Sequence, residues 1–157
     1  MKKYKFKAKI ESAGSGAYIL FPYDTEKEFG TKGRVAIPAR FRSKIERGAV
    51  LTRGMDSCLT VYPMETWERK AQALDNIADS RKRHAVERQF FAAAFEVELD
   101  AQGRIVIPPK LRKYAGLNGE AVIVGARDRF EIWSVGGWEA YLSATDDEDL
   151  SALPLPF

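Results

Sequence analysis

The sequence is poor in the residues on which most enzyme active sites and metal centres depend. Among its 157 residues there is one cysteine, Cys58, and one histidine, His84. A single cysteine cannot form an internal disulfide, which is typical of proteins from the reducing cytoplasm. A single histidine excludes zinc sites built from several histidines and disfavours Ser-His or Cys-His catalysis. We therefore expect a cytoplasmic protein that is not an enzyme, with no catalytic residues, no metal and no cofactor.

Long apolar runs are also missing. No stretch approaches the roughly 20 apolar residues of a transmembrane helix, so we expect no membrane partner. The chain is nevertheless 45% hydrophobic and 30% charged, which permits a folded core and argues against general disorder. Glu96, Glu98 and Asp100 are acidic at alternate positions and could bind a cation. A solvated strand face is favoured, because no further ligands follow at a usable spacing.

Positive charge is concentrated in the first third of the chain, although the net charge is only +3. Residues 1–48 contain 12 Lys and Arg against 5 Asp and Glu, whereas residues 49–143 contain 13 of each. Residues 144–157 contain 4 acidic residues and no basic ones. A basic segment on a neutral body indicates a polyanionic partner, of which nucleic acid is the commonest. A merely solubilising surface is the alternative.

An internal repeat predicts two homologous halves. Residues 34–42 (Arg-Val-Ala-Ile-Pro-Ala-Arg-Phe-Arg) recur at 104–112 (Arg-Ile-Val-Ile-Pro-Pro-Lys-Leu-Arg). Each copy follows a glycine and precedes a short helical pattern, two strand patterns and a Trp-Glu pair. The proline of each copy is expected to end a strand and open a helix, because it lacks a backbone N–H.

Further elements are predicted outside the repeat. Alternating apolar residues and lysines at 3–10 indicate a strand, followed by a loop at 12–16 and a second strand at 17–21 that Pro22 closes. Residues 24–29 read as a helix. Two helices are expected between the repeats, one from Met64 and one from about Ser80 to Phe95.

The segment from Asp100 to Arg104 is the candidate reading head for DNA. Gly103 allows a tight turn with positive φ between two strands that form a ribbon. Asp100 can accept turn N–H groups or pair with Arg104, and an arginine near such a tip can contact guanine in the major groove. The alternative is an Asp–Arg bridge that only locks the turn and binds no ligand. A second copy of the turn in a basic context favours DNA binding over this alternative. That second copy runs from Gly30 to Arg34.

From Thr31 to about Leu142 the chain resembles the MraZ family of AbrB-like bacterial transcriptional regulators. The stretches that carry the resemblance are residues 32–38, 54–59, 100–105 and 130–133. The family has two Asp-x-x-x-Arg motifs, each leading into an Ile-Pro strand. The resemblance implies an α+β, mainly β fold, an AbrB/MraZ-like swapped-hairpin β-barrel made from two pseudo-repeats with a helical pair between and after them.

The resemblance also implies a function. It implies a repressor of the division and cell-wall gene cluster that binds double-stranded DNA at short G-rich direct repeats, is nucleoid-associated, and assembles as a homo-oligomeric ring, an octamer or a dodecamer. On this hypothesis Lys32 contacts phosphate, and Arg34 and Arg104 reach base edges. Gly33, Asp100 and Gly103 orient the turns, and Asp100 holds Arg104 rather than touching DNA.

The N-terminal residues depart from the family pattern. Residues 1–33 resemble the start of a different small bacterial β-barrel domain, and Gly30 stands where the motif Asp of the first copy is expected. This indicates a hybrid of two related barrels, engineered or naturally fused. The expected organisation is residues 1–30 as a foreign strand-loop-strand-helix segment completing the first barrel half, 31–76 as the first repeat, 77–142 as the connecting helix and second repeat, and 143–157 as a flexible acidic tail.

Two other functions stay open on the sequence. A hybrid barrel could fold stably without binding DNA specifically, since its first motif lacks the Asp. An antitoxin-like interaction module is the other alternative, in which the acidic tail binds a partner.

Overall fold

The computed structural model describes residues 10–13, 16–23, 33–145 and 154. Its strands are β1 (Ile10–Ala13), β2 (Gly16–Tyr23), β3 (Arg34–Ala36), β4 (Ala49–Arg53), β5 (Leu59–Pro63), β6 (Phe95–Val97), β7 (Arg104–Val106), β8 (Gly119–Gly125) and β9 (Phe130–Ser134). Its α-helices are α1 (Ala39–Arg42), α2 (Met64–Ala73), α3 (Ser80–Val86), α4 (Pro109–Tyr114) and α5 (Val135–Thr145). The architecture is α+β and mainly β, as predicted.

The strands form two antiparallel sheets in which the repeats are interleaved. The larger sheet has seven strands in the order β1-β2-β8-β9-β5-β4-β6, and the smaller sheet pairs β3 with β7. The strand that precedes each repeat pairs with a hairpin of the other one. β2 lies beside β8, and β6 lies beside β4. Neither repeat therefore forms a complete sheet by itself.

Each Ile-Pro sequence ends a strand and opens a helix, as expected. Pro38 occupies the N-cap of α1 and Pro108 the N-cap of α4, both with extended backbone angles. A proline costs nothing at this position, because the first N–H groups of a helix have no partner within the helix. Local chemistry thus places a short helix at the same point of both repeats.

Both repeats contribute to one hydrophobic core. Its members from the repeated segments lie at matching positions: Val35, Ile37 and Phe41 from the first, and Ile105, Ile107 and Leu111 from the second. The rings of Phe41 and Phe130 stack across the repeats with centroids 5.2 Å apart. A smaller cluster of Cys58, Val122, Trp133 and Trp138 packs α5 against the sheet. Because the core is shared, one repeat could not bury its apolar face alone.

Several boundaries differ from those predicted. The loop expected at residues 12–16 is shorter, because β1 extends to Ala13 and β2 begins at Gly16. Strand β2 does not end at Pro22 but continues to Tyr23 in register with β8. β1 pairs with β2 only up to Ile19, so at Pro22 the missing N–H can face the side where no described strand pairs. The helix expected from Ser80 to Phe95 ends early as well. α3 gives way to a π-helical turn at Glu87–Phe91, and Phe95 begins β6. The helix predicted at residues 24–29 lies outside the described residues.

Candidate nucleic-acid interface

The two-stranded sheet brings the two predicted motif arginines together. Arg34 of β3 and Arg104 of β7 lie diagonally across a ladder whose central pair is Val35 and Ile105. Val35 and Ile105 are buried, so the two arginines start from the opposite face of this sheet. Diagonal positions in an antiparallel pair are about 7–8 Å apart. One small surface therefore carries one arginine from each repeat.

The prediction that the strands around the second turn form a two-stranded ribbon is wrong. The strands on either side of the turn do not pair with each other. β6 ends at Val97 and pairs with β4, whereas β7 begins at Arg104 and pairs with β3. The turn itself is closed by two backbone hydrogen bonds, from Asp100 N to Arg104 O (2.8 Å) and from Gly103 N to Asp100 O (2.9 Å). It carries the chain from the larger sheet to the smaller one, and each sheet takes its partner strand from the other repeat.

Asp100 holds both the backbone of this turn and the side chain of Arg104. Its Oδ1 accepts hydrogen bonds from the amides of Gln102 (2.9 Å) and Arg104 (3.0 Å), and its Oδ2 accepts one from Arg104 Nε (2.8 Å). Desolvation acts to raise the pKa of Asp100, but the hydrogen bonds from Arg104 and Gln102 outweigh it and lower that pKa. Asp100 is thus ionised at neutral pH. The Arg104 side chain is only 17% exposed and its direction is fixed.

The first turn resembles the second in its backbone but differs in sequence at the position of this carboxylate. Gly33 has a positive φ of 55°, close to the 74° of Gly103, so the two turns share a backbone feature. Gly30 stands where an Asp would correspond to Asp100. Arg34 is partly buried, and its Nε makes no hydrogen bond within the part of the chain that is described. Gly30 and Lys32 themselves lie outside the described residues.

Two further arginines contact the turns, and the sequence reasoning missed them. The Arg42 guanidinium lies against Gly103, and the Arg112 guanidinium lies against Gly33. Each arginine follows the Ile-Pro sequence at the same place in its own repeat. This repetition is visible in the sequence. The contact it makes is not, because each arginine lies against the glycine of the opposite repeat.

Other candidate reactive groups lie outside the two strands of this sheet. Cys58 is buried, and desolvation, followed by the charge of Glu131, raises the pKa of its thiol to about 12. His84 is exposed on α3. Within residues 10–13, 16–23, 33–145 and 154, His, Cys, Asp and Glu side chains form no group of three that could hold a metal. In the same ranges no helix is both long and apolar enough to cross a membrane.

The chain belongs to a class of proteins built from two interleaved repeats. Each repeat has an Ile-Pro strand and a glycine-arginine turn. The family model described as "MraZ protein, putative antitoxin-like" matches residues 20–88 and 90–154. The chain is a member of the MraZ family. The match includes residues 20–30, which were expected to belong to a different barrel domain.

Curated relatives agree with this assignment over most of their length. The chain is 50% identical over 110 residues to the "Transcriptional regulator MraZ" of Thermomicrobium roseum, covering 69% of this chain and 78% of the relative. It is 48% identical over 118 residues to the protein of the same name from Moorella thermoacetica, covering 74% and 82%. For that of Lactiplantibacillus plantarum, identity is 45% over 127 residues, covering 80% and 90%.

Proposed function

We propose that the protein is a DNA-binding transcription regulator, a repressor that reads short G-rich direct repeats at the division and cell-wall gene cluster. The observation that carries the proposal is the placement of Arg34 and Arg104 on one face of the β3–β7 sheet. The names of the relatives support the general function. The repeats and the gene cluster rest on the family resemblance.

The proposed mechanism assigns a different task to each residue of the turns. Arg104 contacts guanine in the major groove, where an arginine can reach O6 and N7. Asp100 keeps the Arg104 guanidinium in one orientation through the 2.8 Å contact with Nε, which reduces the conformational entropy lost on binding. Arg34 reads the neighbouring position, and Lys32 contacts phosphate without reading sequence.

The proposed assembly is a homo-oligomeric ring that presents several such surfaces, in a cytoplasmic, nucleoid-associated protein without a cofactor. A swapped-hairpin barrel, built from the interleaved repeats, is the proposed unit. The β6 edge of the larger sheet supports self-association. Phe95 on β6 is 41% exposed and Val106 on β7 is 47% exposed, although both are large apolar residues. A head-to-tail contact that closes on itself would form the ring.

The reading role of Arg104 is tested by fluorescence anisotropy with Arg104→Ala. Labelled duplexes with G-rich direct repeats are compared with shuffled duplexes across a salt series. We expect Arg104→Ala to lose about 1–3 kcal/mol per contacted site and to relax base preference. Arg47→Ala is the matched control, because Arg47 is exposed, pairs with Glu65, and carries the same charge.

Two results would contradict this function. If the wild-type protein binds repeats and shuffled DNA equally and salt weakens both alike, only non-specific phosphate contacts are at work. If the wild-type protein binds neither duplex, the antitoxin-like description of the family favours an interaction module instead. Removal of residues 144–157 then tests whether the acidic tail binds the partner.

A further inference from the structure

The two glycine turns are each covered by an arginine from the opposite repeat. An ideal Cβ placed on Gly103 would clash with Cζ and Nε of Arg42. A Cβ placed on Gly33 would lie 2.8 Å from both Cζ and Nε of Arg112. Real Cβ atoms essentially never approach other atoms this closely, so each guanidinium occupies the space that the absent side chain leaves.

Backbone hydrogen bonds follow the same crosswise pattern. Ile37 N donates to Gly103 O (2.8 Å), and Ile107 N donates to Gly33 O (2.8 Å). Arg42 Nε then donates to Ile37 O at 2.6 Å. Gly103 is thus held from one side by the backbone of Ile37 and covered from another by the side chain that Ile37 anchors. Ile37 and Arg42 come from the first repeat, whereas Gly103 belongs to the second.

We propose that Arg42 and Arg112 are positioning residues that hold the reading turn of the opposite repeat. Arg42 fixes the turn that presents Arg104, and Arg112 fixes the turn that presents Arg34. A planar guanidinium can lie flat on the Cα of a glycine while Nε donates a hydrogen bond in the same plane. A lysine ammonium can donate a hydrogen bond, but it has no planar group that could cover the glycine at the same time. The role in DNA reading rests on the proposed function, whereas the ordering of the turns does not.

The clamp around Gly103, made by Asp100 and Arg42, is described at both of its side chains. Around Gly103 the turn is held by Asp100 and by an arginine whose own Nε is hydrogen-bonded. Around Gly33 the Nε of Arg112 is buried and makes no hydrogen bond among the described residues. Asp100 and Arg42 therefore hold the turn before Arg104 from two sides.

The test uses the full chain with Arg42→Lys, which keeps the charge and removes the planar group. Hydrogen–deuterium exchange is followed by mass spectrometry on peptides that cover residues 100–106 and 33–37. We expect Arg42→Lys to speed exchange in 100–106 about tenfold, the effect of losing the order of one or two hydrogen bonds. Arg112→Lys should speed exchange in the peptide 33–37 and leave 100–106 near the wild-type rate. Arg47→Lys is the control and should change neither.

Binding to repeat and shuffled DNA separates the clamp from the proposed function. With an unchanged charge, Arg42→Lys should keep the salt dependence of binding and lose about fivefold or more of its preference for repeats. Faster exchange in 100–106 without any preference in the wild-type protein would keep the clamp and reject the reading function. If residues 100–106 of Arg42→Lys exchange at the wild-type rate, the positioning role of Arg42 is rejected. Should Arg42→Lys fail to fold, the Arg112→Lys exchange pattern decides, because it tests the other turn independently.

Discussion

Asp100 makes its turn sensitive to acid. Its pKa in the folded protein lies below the ordinary value of 3.8, because hydrogen bonds from Arg104 and Gln102 outweigh desolvation. For a carboxyl with a lowered pKa, the stabilisation is fully present above the unfolded pKa and is lost as the pH falls through the folded pKa. We therefore expect the free energy of unfolding to fall as the pH is lowered through about 4 and below.

Urea unfolding of the wild-type protein and of Asp100→Asn, measured between about pH 7 and pH 3, checks this prediction. Asparagine keeps the shape of the side chain but does not ionise, so the variant should be less stable at neutral pH and should lose less stability on acidification. Parallel loss of stability in the two proteins would show that the Asp100 carboxylate is not linked to folding.

At the scale of single residues, the sequence predicted contacts between residues that are close together in the chain. The contact between Asp100 and Arg104 spans four positions and follows from turn chemistry. The contacts of Arg42 with Gly103 and of Arg112 with Gly33 join distant parts of the chain. They depend on how the repeats interleave, which no local pattern contains.

Among the elements, the β4–β5 hairpin contains a strained turn. Asp56 and Ser57 have positive φ angles of 58° and 61°, and Cys58 N donates to Met55 O at 3.4 Å. These values are those of a type I′ turn, which favours asparagine and glycine. Left-handed backbone costs an ordinary L-residue roughly 1–2 kcal/mol, and glycine avoids this cost.

We expect Ser57→Gly to stabilise the protein by about 0.5–1 kcal/mol, since part of the relief is offset by the greater freedom of glycine in the unfolded chain. Urea unfolding provides the measurement. Ser57→Ala is the control, because it removes the hydroxyl but keeps the Cβ that causes the strain. Equal stabilisation by both substitutions would show that the hydroxyl, and not the backbone, is unfavourable.

Element boundaries were predictable where a single residue type enforces them. Pro38 and Pro108 open helices as expected, and the helix expected at Met64 is confirmed as α2. The end of the helix that begins at Ser80 was not predictable in this way. Its apolar last residues suit a helix as well as a strand, and the pairing of β6 with β4 selects the strand.

In the whole molecule, the repeat predicted two related halves but not their pairing. Matching positions such as Ile37 and Ile107 are equally buried in one core, which suits two homologous halves. That β3 pairs with β7, rather than each repeat closing on itself, depends on contacts between the copies. Two strands of three residues each gain a stable ladder only through the core that both repeats bury beneath it.

The proposed ring makes a prediction about the number of DNA repeats. One β3–β7 surface contacts few base pairs, so its own affinity for a single repeat should be low, and linked surfaces should add to it through effective concentration. We expect wild-type protein to bind a duplex with several direct repeats about 10²–10⁴-fold more tightly than a duplex with one repeat.

Phe95→Asp places a charge on an exposed apolar residue of β6, at the edge where no further described strand pairs, and should reduce the oligomer to smaller species. Anisotropy and light scattering on both proteins test this together, because the variant should keep its affinity for one repeat and lose the gain from several. If the wild-type protein binds several repeats no more tightly than one, the ring is contradicted. If the Phe95→Asp oligomer keeps its size, the β6 edge is not the contact that closes the ring.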